Sequence, residues 1–423
     1  MKFSKFNITF DYNNKSYLTN TFSKSILEID SRIKRIIENN ISDALSKNEE
    51  SLLGEHGFMV NESIDEIGLL RYRSNKLKND KSEMEFVICP TLECNFSCTY
   101  CFESPRKGCM SQEIQDQVLQ FIFEKVNDPD NKSVHIIWFG GEPLLYPDIL
   151  LKMNDKLYQY CKENNKLFKS EIITNGYLLN VELVEKLIKC HIEHLQITLD
   201  GAKCSHDSRR ILKNGDGTFD VIYKNLELLF NKPITVSLRM NVDKTNLENI
   251  ADLEKSILKL NNPNIICHPA IVELSDMHFQ DIKEKCFYDD SELQMYYGHP
   301  TISKYYNSYK CSDYGLRSFF CEAEHEHSFV IDEIGNVYKC WNSVGVDDEV
   351  YCTVKDTTPN PAIVSVFLGR DPFTEKKCVD CPYIPICAGG CVMQKKLRNE
   401  NECCDNKFNF LESVKKSINM HKE

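Results

Sequence analysis

The chain has 423 residues, of which 42% are hydrophobic and 27% charged, which is ordinary for a globular protein of two or three domains. Its net charge of −12 argues against nucleic acid as a partner, because a phosphate backbone favours a basic surface. No apolar run approaches the length of a membrane span and the first residues lack the apolar core of a signal peptide, so we expect a cytoplasmic protein with no membrane partner.

The first 82 residues contain no cysteine and are predicted to fold as a small unit. Alternating apolar and polar residues predict a β-hairpin made of Phe6–Tyr12 and Ser16–Asn20. Two helices and a linker are predicted to follow, over Ile26–Ile37, Ile41–Leu53 and Ser74–Lys81. A hairpin followed by helices is the outline of a small winged-helix unit.

From Met84 to Ile271, strand-like apolar runs alternate with helical segments. The predicted strands are Met84–Ile88, Val134–Phe139, Ser170–Thr174, His194–Leu199, Thr235–Val242 and Ile265–Ile271. The predicted helices are Gln112–Val126, Ile149–Asn164, Val181–Lys189 and Val221–Phe230. Such βα units imply a parallel sheet with right-handed crossovers. Six of them suit a partial barrel whose site lies at the carboxyl ends of the strands.

Three cysteines, which we call the cysteine triad, follow the first of these strands as Cys94-x-x-x-Cys98-x-x-Cys101. Iron–sulfur clusters are normally held by four thiolates, so three protein ligands leave one coordination position open. An open position distinguishes catalytic metal sites from closed structural ones. The alternative is a zinc knuckle, although zinc sites prefer C-x-x-C pairs in fours.

Motifs at the next strand ends add to the predicted site. Gly140-Gly141-Glu142-Pro143 follows the second strand, and glycines there let the backbone approach a ligand closely. Thr174-Asn175-Gly176 ends the third strand and Thr198-Leu199-Asp200-Gly201 ends the fourth, although each is also a common turn sequence. Arg210, or alternatively Arg209, can hold a carboxylate in a bidentate grip.

Cysteines return in dense groups after residue 310, in a reducing compartment where metal binding is a better explanation than disulfides. The groups comprise Cys321, Cys340, Cys378, Cys381, Cys387, Cys391, Cys403 and Cys404. Taken alone, this spacing also fits structural zinc.

Together these motifs resemble radical S-adenosylmethionine (SAM) enzymes with a SPASM extension, namely peptide maturases of the sactisynthase and ranthipeptide type, which are related to anaerobic sulfatase-maturating enzymes. The resemblance is specific from Met84 onward and is one of pattern before it. It implies an α/β fold with a partial (β/α)6 barrel. The implied domains are a winged-helix-like leader-recognition domain (1–82), the radical SAM barrel (83–275), a bridge (276–310) and a SPASM domain with two auxiliary clusters (311–423).

The resemblance also implies roles for individual residues. The cysteine triad would hold the radical SAM cluster. The implied SAM contacts are Tyr100, Gly140, Gly141, Glu142, Thr174, Asn175, Thr198, Asp200, Arg210 and Ile271. The outer auxiliary cluster would use Cys378, Cys381, Cys387 and either Cys404 or Cys403, and the inner one Cys321, Cys340 and Cys391. The fourth position of the inner cluster would be filled by His325, His327, Cys311 or Cys352, or stay open.

The implied cofactors are three [4Fe–4S] clusters and SAM, which together generate a 5′-deoxyadenosyl radical. The expected partners are a ribosomally made precursor peptide, whose leader would add as a strand at Lys15–Asn20, and an electron donor such as flavodoxin or ferredoxin. The favoured activity is formation of a cross-link such as a cysteine thioether. One alternative is formylglycine formation in a sulfatase, which is disfavoured because Trp341 stands where those enzymes usually carry an aspartate base. The other is a zinc-binding protein without catalysis.

Overall fold

The computed structural model describes residues 1–103, 105–272, 284–287, 290–306, 314–397 and 406–420. Its packing divides the chain into two units. The terminal unit contains Met1–Asn79, Leu293–Glu324 and Arg370–Glu423, and the barrel unit contains Asp80–Glu292 and His325–Gly369. The four domains inferred from the sequence stay a prediction. Among the described residues, no helix is both long and apolar enough to cross a membrane.

Residues 1–79 contain four strands, then two helices, a fifth strand and a third helix. The strands are β1 (Lys2–Phe3), β2 (Asn7–Tyr12), β3 (Lys15–Asn20), β4 (Ile26–Ile29) and β5 (Met59–Val60), and the helices are α1 (Ser31–Glu38), α2 (Lys47–Glu55) and α3 (Glu66–Lys78). β1 pairs with β5, while β2, β3 and β4 form an antiparallel sheet with β3 in the middle.

The predicted hairpin is confirmed as β2 and β3, but two neighbouring predictions were wrong. Residues Ile26–Ile29 form a strand rather than the start of a helix, because Asp30 caps α1 by accepting a 2.7 Å hydrogen bond from the Ile33 amide. The predicted linker begins inside α3, where Ser74 and Lys78 are buried. Lysine content alone therefore did not indicate exposure there.

The barrel unit is built on one nine-stranded sheet. Its strands are β6 (Glu83–Ile88), β7 (Ser133–Trp138), β8 (Leu167–Thr174), β9 (His194–Thr198), β10 (Thr235–Val242), β11 (Ile265–Ile271), β12 (Ser328–Ile331), β13 (Asn336–Tyr338) and β14 (Cys352–Thr353). Strands β6 to β11 are parallel and lie side by side in sequence order. All six strands predicted for the barrel are confirmed, and with them the partial barrel fold.

Helices connect the parallel strands. They are α4 (Gln112–Val126), α5 (Pro147–Glu163), α6 (Val181–Lys189), α7 (Lys203–Asp207), α8 (Phe219–Glu227) and α9 (Ile250–Leu260). Two of the four predicted helices coincide with α4 and α6, because Ser111 and Asn180 cap them with side-chain oxygens. The other two, α5 and α8, begin two residues earlier than predicted and end one and three residues earlier.

The sheet also takes in a segment from beyond residue 310. Strand β12 pairs in parallel with β6, so Phe329 lies beside Phe86, and β13 and β14 continue antiparallel. No local pattern predicts this pairing, because Phe86 and Phe329 are more than 240 residues apart in the chain. Part of the predicted SPASM region thereby belongs to the barrel sheet.

The remaining helices are α10 (Asp290–Gly298), α11 (Pro300–Tyr306), α12 (Pro361–Phe367), α13 (Lys376–Val379), α14 (Ile384–Cys387), α15 (Val392–Leu397) and α16 (Asn406–Met420). In the terminal unit, the C-terminal helix α16 packs on the β2–β3–β4 sheet through Phe410 and Val414, which join Tyr17 and Ile386 in one core. The N-terminal and C-terminal segments of this unit therefore share their hydrophobic core.

Candidate active site

The candidate site lies at the carboxyl ends of the parallel strands, beginning with the loop after β6 that carries the cysteine triad. This loop runs beside residues 209–212. The Ser97 amide donates to the Ile211 carbonyl at 2.8 Å, and the Thr99 amide donates to the Arg209 carbonyl at 3.0 Å. Backbone pairing thus holds the triad beside the two candidate arginines.

The three thiols of the triad are close enough to influence one another's ionisation. Burial raises the pKa of Cys94 to about 12, and the Glu142 carboxylate adds to the effect. Burial, Glu103 and Cys98 together raise the pKa of Cys101 to about 12. Metals bind the thiolate, so binding of iron would release the protons of these thiols. In the described part of the chain, no three Cys, His, Asp or Glu side chains are arranged to hold a single metal ion.

Two glycines bring the end of β7 against the triad loop. A β-carbon on Gly140, whose φ is +109°, would lie 2.3 Å from the Thr91 carbonyl oxygen. One on Gly141 would lie 2.4 Å from the Glu93 carbonyl oxygen. Only glycine permits this approach, which places the predicted cofactor motif directly beside the loop that holds Cys94.

Glu142 joins the ends of β7 and β8. Its carboxylate is fully buried and accepts hydrogen bonds from the Thr174 hydroxyl at 2.7 Å, the Asn175 amide at 2.7 Å and the Leu144 amide at 3.0 Å. Burial nevertheless raises the pKa of Glu142 above its usual value. The structure therefore brings three predicted cofactor residues together, with the Glu142 side chain occupied in holding the other two.

Tyr100 lies at the centre of a second polar cluster. Its hydroxyl donates to the Asp200 carboxylate and accepts a 2.8 Å hydrogen bond from Nη1 of Arg210. Nε of Arg210 and Oδ1 of Asp200 are both buried without a hydrogen-bond partner among the described residues. Buried polar atoms are normally paired, so these two point to a ligand.

The two arginines differ in how fully their guanidinium groups are used. Arg209 donates to Asp243 at 2.6 Å and to the Thr245 hydroxyl at 3.0 Å, and its Nε lies 3.3 Å from Asp200. Among the described residues, the Arg210 guanidinium donates a hydrogen bond only to the Tyr100 hydroxyl, and it also lies 5.7 Å from the centre of the Phe96 ring. The geometry therefore favours Arg210 as the group that is available to a ligand carboxylate. Arg209 lines the neighbouring cavity, and its guanidinium is already bonded to other side chains.

His206 is hydrogen-bonded to two residues beside this polar cluster, Asp200 and Thr218. Its Nδ1 accepts a 3.2 Å hydrogen bond from the Asp200 amide. Because the Thr218 hydroxyl donates to the Arg210 carbonyl, we assign the 2.9 Å contact between His206 Nε2 and that hydroxyl as an N–H donation. Burial and the two arginine charges lower the pKa of His206 to about 2. The imidazole is therefore a neutral brace for Asp200 and Arg210.

Sequence reasoning missed polar residues near the end of β10 and directly after it. Asn246 donates to the Asp200 carbonyl at 2.6 Å, and Asn241 donates to the Tyr100 hydroxyl at 3.1 Å. A cavity of about 160 Å³ opens beside them, lined in part by Tyr100, Arg209 and Asp243. The signal was present, since several polar residues follow a predicted strand end.

Thr198 and Ile271 are the two remaining predicted SAM contacts. Thr198 is buried as the last residue of β9. Ile271 is half-buried as the last residue of β11, and the next residue, Val272, lines the cavity. Both therefore stand at strand ends, as the sequence predicted.

The predicted auxiliary-cluster cysteines are distributed over both units. The terminal unit holds Cys321, Cys378, Cys381, Cys387 and Cys391, and the barrel unit holds Cys340, two residues after β13. Burial raises the pKa of Cys321 to about 12, with Cys391 as the next contributor, so these two thiols are neighbours. Cys311, Cys403 and Cys404 lie outside the described residues.

Three of the candidates for the fourth ligand of the inner cluster can be located. Nε2 of His325 lies 2.9 Å from the Asp80 carbonyl oxygen. His327 is half-buried, and Cys352 is a buried residue of β14 that pairs with Val337. The choice among them, or an open position, stays a prediction.

Comparison with known proteins bears directly on the barrel unit. The sequence model of the Radical SAM superfamily matches residues 88–257. The chain contains a radical SAM domain. A cysteine-type anaerobic sulfatase-maturating enzyme from Clostridium novyi is 26% identical, in an alignment that covers 74% of this chain and 89% of that protein. The radical SAM cyclopropyl synthase TigE from Paramaledivibacter caminithermalis is 22% identical, in an alignment that covers 82% of this chain and 76% of that protein.

The fold of the radical SAM domain also occurs in solved structures. Native anSMEcpe with bound AdoMet superposes with a TM-score of 0.60 at 16% identity, covering 80% of this chain and 99% of that one. Radical SAM domains use a [4Fe–4S] cluster and SAM. The residues present fit both groups, because three cysteines share one loop, and Arg210 and Asp200 each keep a buried atom without a hydrogen-bond partner among the described residues.

Proposed function

We propose that this radical SAM protein modifies a ribosomally made peptide by abstracting a hydrogen atom and installing a cross-link such as a cysteine thioether. The buried, incompletely paired Arg210 beside the cysteine triad is the observation that most directly supports SAM chemistry. The peptide substrate is supported by the relation to maturases, among them the sulfatase-maturating enzyme. When bound, the cluster and SAM supply the 5′-deoxyadenosyl radical.

The chain's own residues bind and orient the cofactor. The cysteine triad holds the cluster, and Arg210 holds the SAM carboxylate in a charge-assisted bidentate grip. The backbone at Gly140 and Gly141 would receive the SAM amino group, as the resemblance implies, and it is held against the backbone of Thr91 and Glu93 in the triad loop. Tyr100, Thr198 and Ile271 are the residues that would contact the adenosine.

Two further [4Fe–4S] clusters complete the proposal, with the cysteines of the terminal unit and Cys340 as ligands and flavodoxin or ferredoxin as the electron donor. The grouping of Cys321 with Cys391 supports the inner cluster. Cys378 supports the outer one, since its raised pKa, caused mainly by burial, includes a contribution from Cys387. These clusters would accept the electron left on the substrate.

The leader peptide requires a different place from the one expected. Strand β3 (Lys15–Asn20) is paired on both sides, so its backbone cannot accept another strand. Helix α1 contacts the side chains of β2: Lys34 donates a hydrogen bond to Asp11 at 2.6 Å, and Glu38 accepts one from the Thr9 hydroxyl at 3.0 Å. The edge of β4 (Ile26–Ile29) is therefore the position that we propose for the leader.

Anaerobic reaction with reductant, SAM and a candidate precursor peptide tests this function. Mass spectrometry should show the loss of two hydrogens from the peptide, which indicates a cross-link. Deuterium uptake from solvent without that loss would instead indicate epimerisation. An unmodified peptide in the presence of 5′-deoxyadenosine formation would contradict the substrate class while leaving the SAM chemistry in place.

Formylglycine formation is the second candidate, supported by the sulfatase-maturating relative from Clostridium novyi. Against it stands Trp341, which follows Cys340 in place of an acid–base group. The Trp341 ring packs 5.1 Å from the Phe139 ring and belongs to the core around β6 and β7. Incubation with a sulfatase peptide should leave it unchanged, whereas formylglycine in the product would reverse the order of the two candidates.

A further inference from the structure

A buried ionic network in the terminal unit connects the turns that carry Cys321 and Cys391. We propose that Arg370 and Glu324 are positioning residues that hold these two thiols at cluster-binding spacing and set the local charge there. This inference rests on the proposed function, which assigns both cysteines to the inner auxiliary cluster.

Glu324 closes the turn around Cys321. Its side chain is fully buried, and Oε1 accepts a 3.1 Å hydrogen bond from the Phe320 amide. Its own amide donates to the Cys321 carbonyl at 3.0 Å. Burying a charged carboxylate costs free energy of desolvation, unless cations and hydrogen bonds compensate for the loss of water. The buried Glu324 carboxylate therefore needs a positively charged partner.

Arg370 supplies that partner and also grips the turn before Cys391. Its Nη1 lies 3.3 Å from Glu324 Oε1 and donates to the Gly390 carbonyl at 2.6 Å, while Nη2 donates to the Gly389 carbonyl. Residues 388–390 all have positive φ, which turns these carbonyls toward the guanidinium. A β-carbon on Gly389 would lie 2.7 Å from Arg370 Nη2, so the guanidinium fills the turn.

Lys78 extends the network to the N-terminal segment of the same unit. Its ammonium lies 3.1 Å from Glu324 Oε2 and donates to the Arg370 carbonyl at 2.8 Å. The side chains of Lys78 and Arg370 are 7% and 9% exposed, and that of Glu324 is 0%. Arg370 Nε also lies 3.8 Å from Oε1 of Glu375, whose side chain is 41% exposed. Two buried cations therefore surround one buried carboxylate, and one of them also pairs with a more exposed carboxylate.

The charges of this network have a chemical consequence. The charge and hydrogen bonds around a cluster set its reduction potential. A purely structural network would change stability when broken, but it would not shift a potential in a direction that follows the sign of the charge removed. The sign of the shift therefore distinguishes the two roles.

The test uses the full-length, anaerobically reconstituted protein and the variants Arg370→Gln, Arg370→Lys and Glu324→Gln. Arg71→Gln is the matched control, because Arg71 also joins α3 to this segment through an ion pair to Asp371 at 2.6 Å, but its side chain is 51% exposed. Iron and sulfide per chain, cluster midpoint potentials from EPR-monitored titration, and thermal unfolding are measured for each protein.

Arg370→Gln is expected to bind about four fewer iron atoms per chain than the wild type, which is one cluster. The inner cluster in the fraction that remains loaded should have a lower midpoint potential, and Arg370→Lys should restore most of that potential. Glu324→Gln can still accept hydrogen bonds, so it should keep its iron and raise the potential. Arg71→Gln should match the wild type in both measurements.

Wild-type iron content with an unchanged potential in Arg370→Gln would overturn the inference, as would a lowered or unchanged potential in Glu324→Gln. If Arg370→Gln does not fold, Arg370→Lys and Glu324→Gln still decide through iron content and the sign of the shift. A wild-type protein with only about four iron atoms would overturn the auxiliary clusters of the proposed function as well, so the two failures are distinguishable.

Discussion

Arg210 donates a 2.8 Å hydrogen bond from Nη1 to the Tyr100 hydroxyl, while its Nε is buried without a hydrogen-bond partner in the described part of the chain. Tyr100 and Arg210 are 110 residues apart in sequence. Their meeting joins the triad loop to the loop after β9, and it leaves one edge of a cation facing the place where a SAM carboxylate would bind.

Replacing Arg210 with glutamine should weaken SAM binding by about 10- to 150-fold, since a hydrogen-bonded charged contact contributes about 1.5–3 kcal/mol. Calorimetric titration of the reconstituted protein with SAM measures this. Lys213→Gln is the control, because Lys213 is an exposed charge in the same loop. Equal SAM affinity in wild type and Arg210→Gln would contradict the assignment and return Arg209 as the candidate.

His206 should remain neutral in the folded protein throughout the physiological pH range, because burial and two arginines lower its pKa to about 2. The unfolded chain protonates this histidine below about pH 6.5, so the folded state loses stability as the pH falls from that value toward 2. Each pH unit in this window costs up to about 1.4 kcal/mol. Urea unfolding should therefore show that the advantage of wild type over His206→Gln shrinks between pH 7.5 and pH 5; a constant difference would mean that His206 titrates normally.

Gly140→Ala should lower the unfolding temperature and prevent loading of the triad, because its β-carbon would collide with the Thr91 carbonyl. Gly108→Ala is the matched control. Its φ is +106°, close to the +109° of Gly140, but a β-carbon there meets nothing within 4 Å. The control should lose only the free energy of unfolding that a β-carbon costs in a left-handed backbone conformation, about 1–2 kcal/mol. Equal losses of iron in the two variants would show that backbone strain, not the close approach, matters.

Binding of a precursor peptide should slow amide hydrogen exchange in β4, over Ile26–Ile29, because a leader strand there would use its free edge. The amides of β3 are already paired on both sides and should change little. A peptide without its leader serves as the control. Protection that appears only outside β4 would contradict the proposed edge. Deleting residues 1–82 is a poorer test, since Tyr17 shares a core with Phe410.

The sequence predicted the elements whose signals are local. Strands β10 and β11 coincide with predicted strands, since apolar alternation and strand ends are written in consecutive residues. The strand β4 was missed because Ile26–Ile29 is too short to distinguish strand from helix by periodicity.

Other features depend on pairing between distant segments. Nothing local in Ser328–Ile331 says that it will pair with β6. The different roles of Arg209 and Arg210 depend on the fold, because Asp243, which follows another strand, accepts a hydrogen bond from Arg209. Likewise, only the fold shows that Glu142 braces Thr174 and Asn175.

The central claim is that Cys94, Cys98 and Cys101 hold a cluster at which SAM is cleaved. The most direct measurement is 5′-deoxyadenosine formation by the reconstituted, reduced protein, alongside its iron and zinc content. We predict that the wild type binds iron and sulfide and forms 5′-deoxyadenosine, and that Cys98→Ala abolishes this product. A colourless, zinc-containing protein, or product formation that persists in Cys98→Ala, would contradict the account.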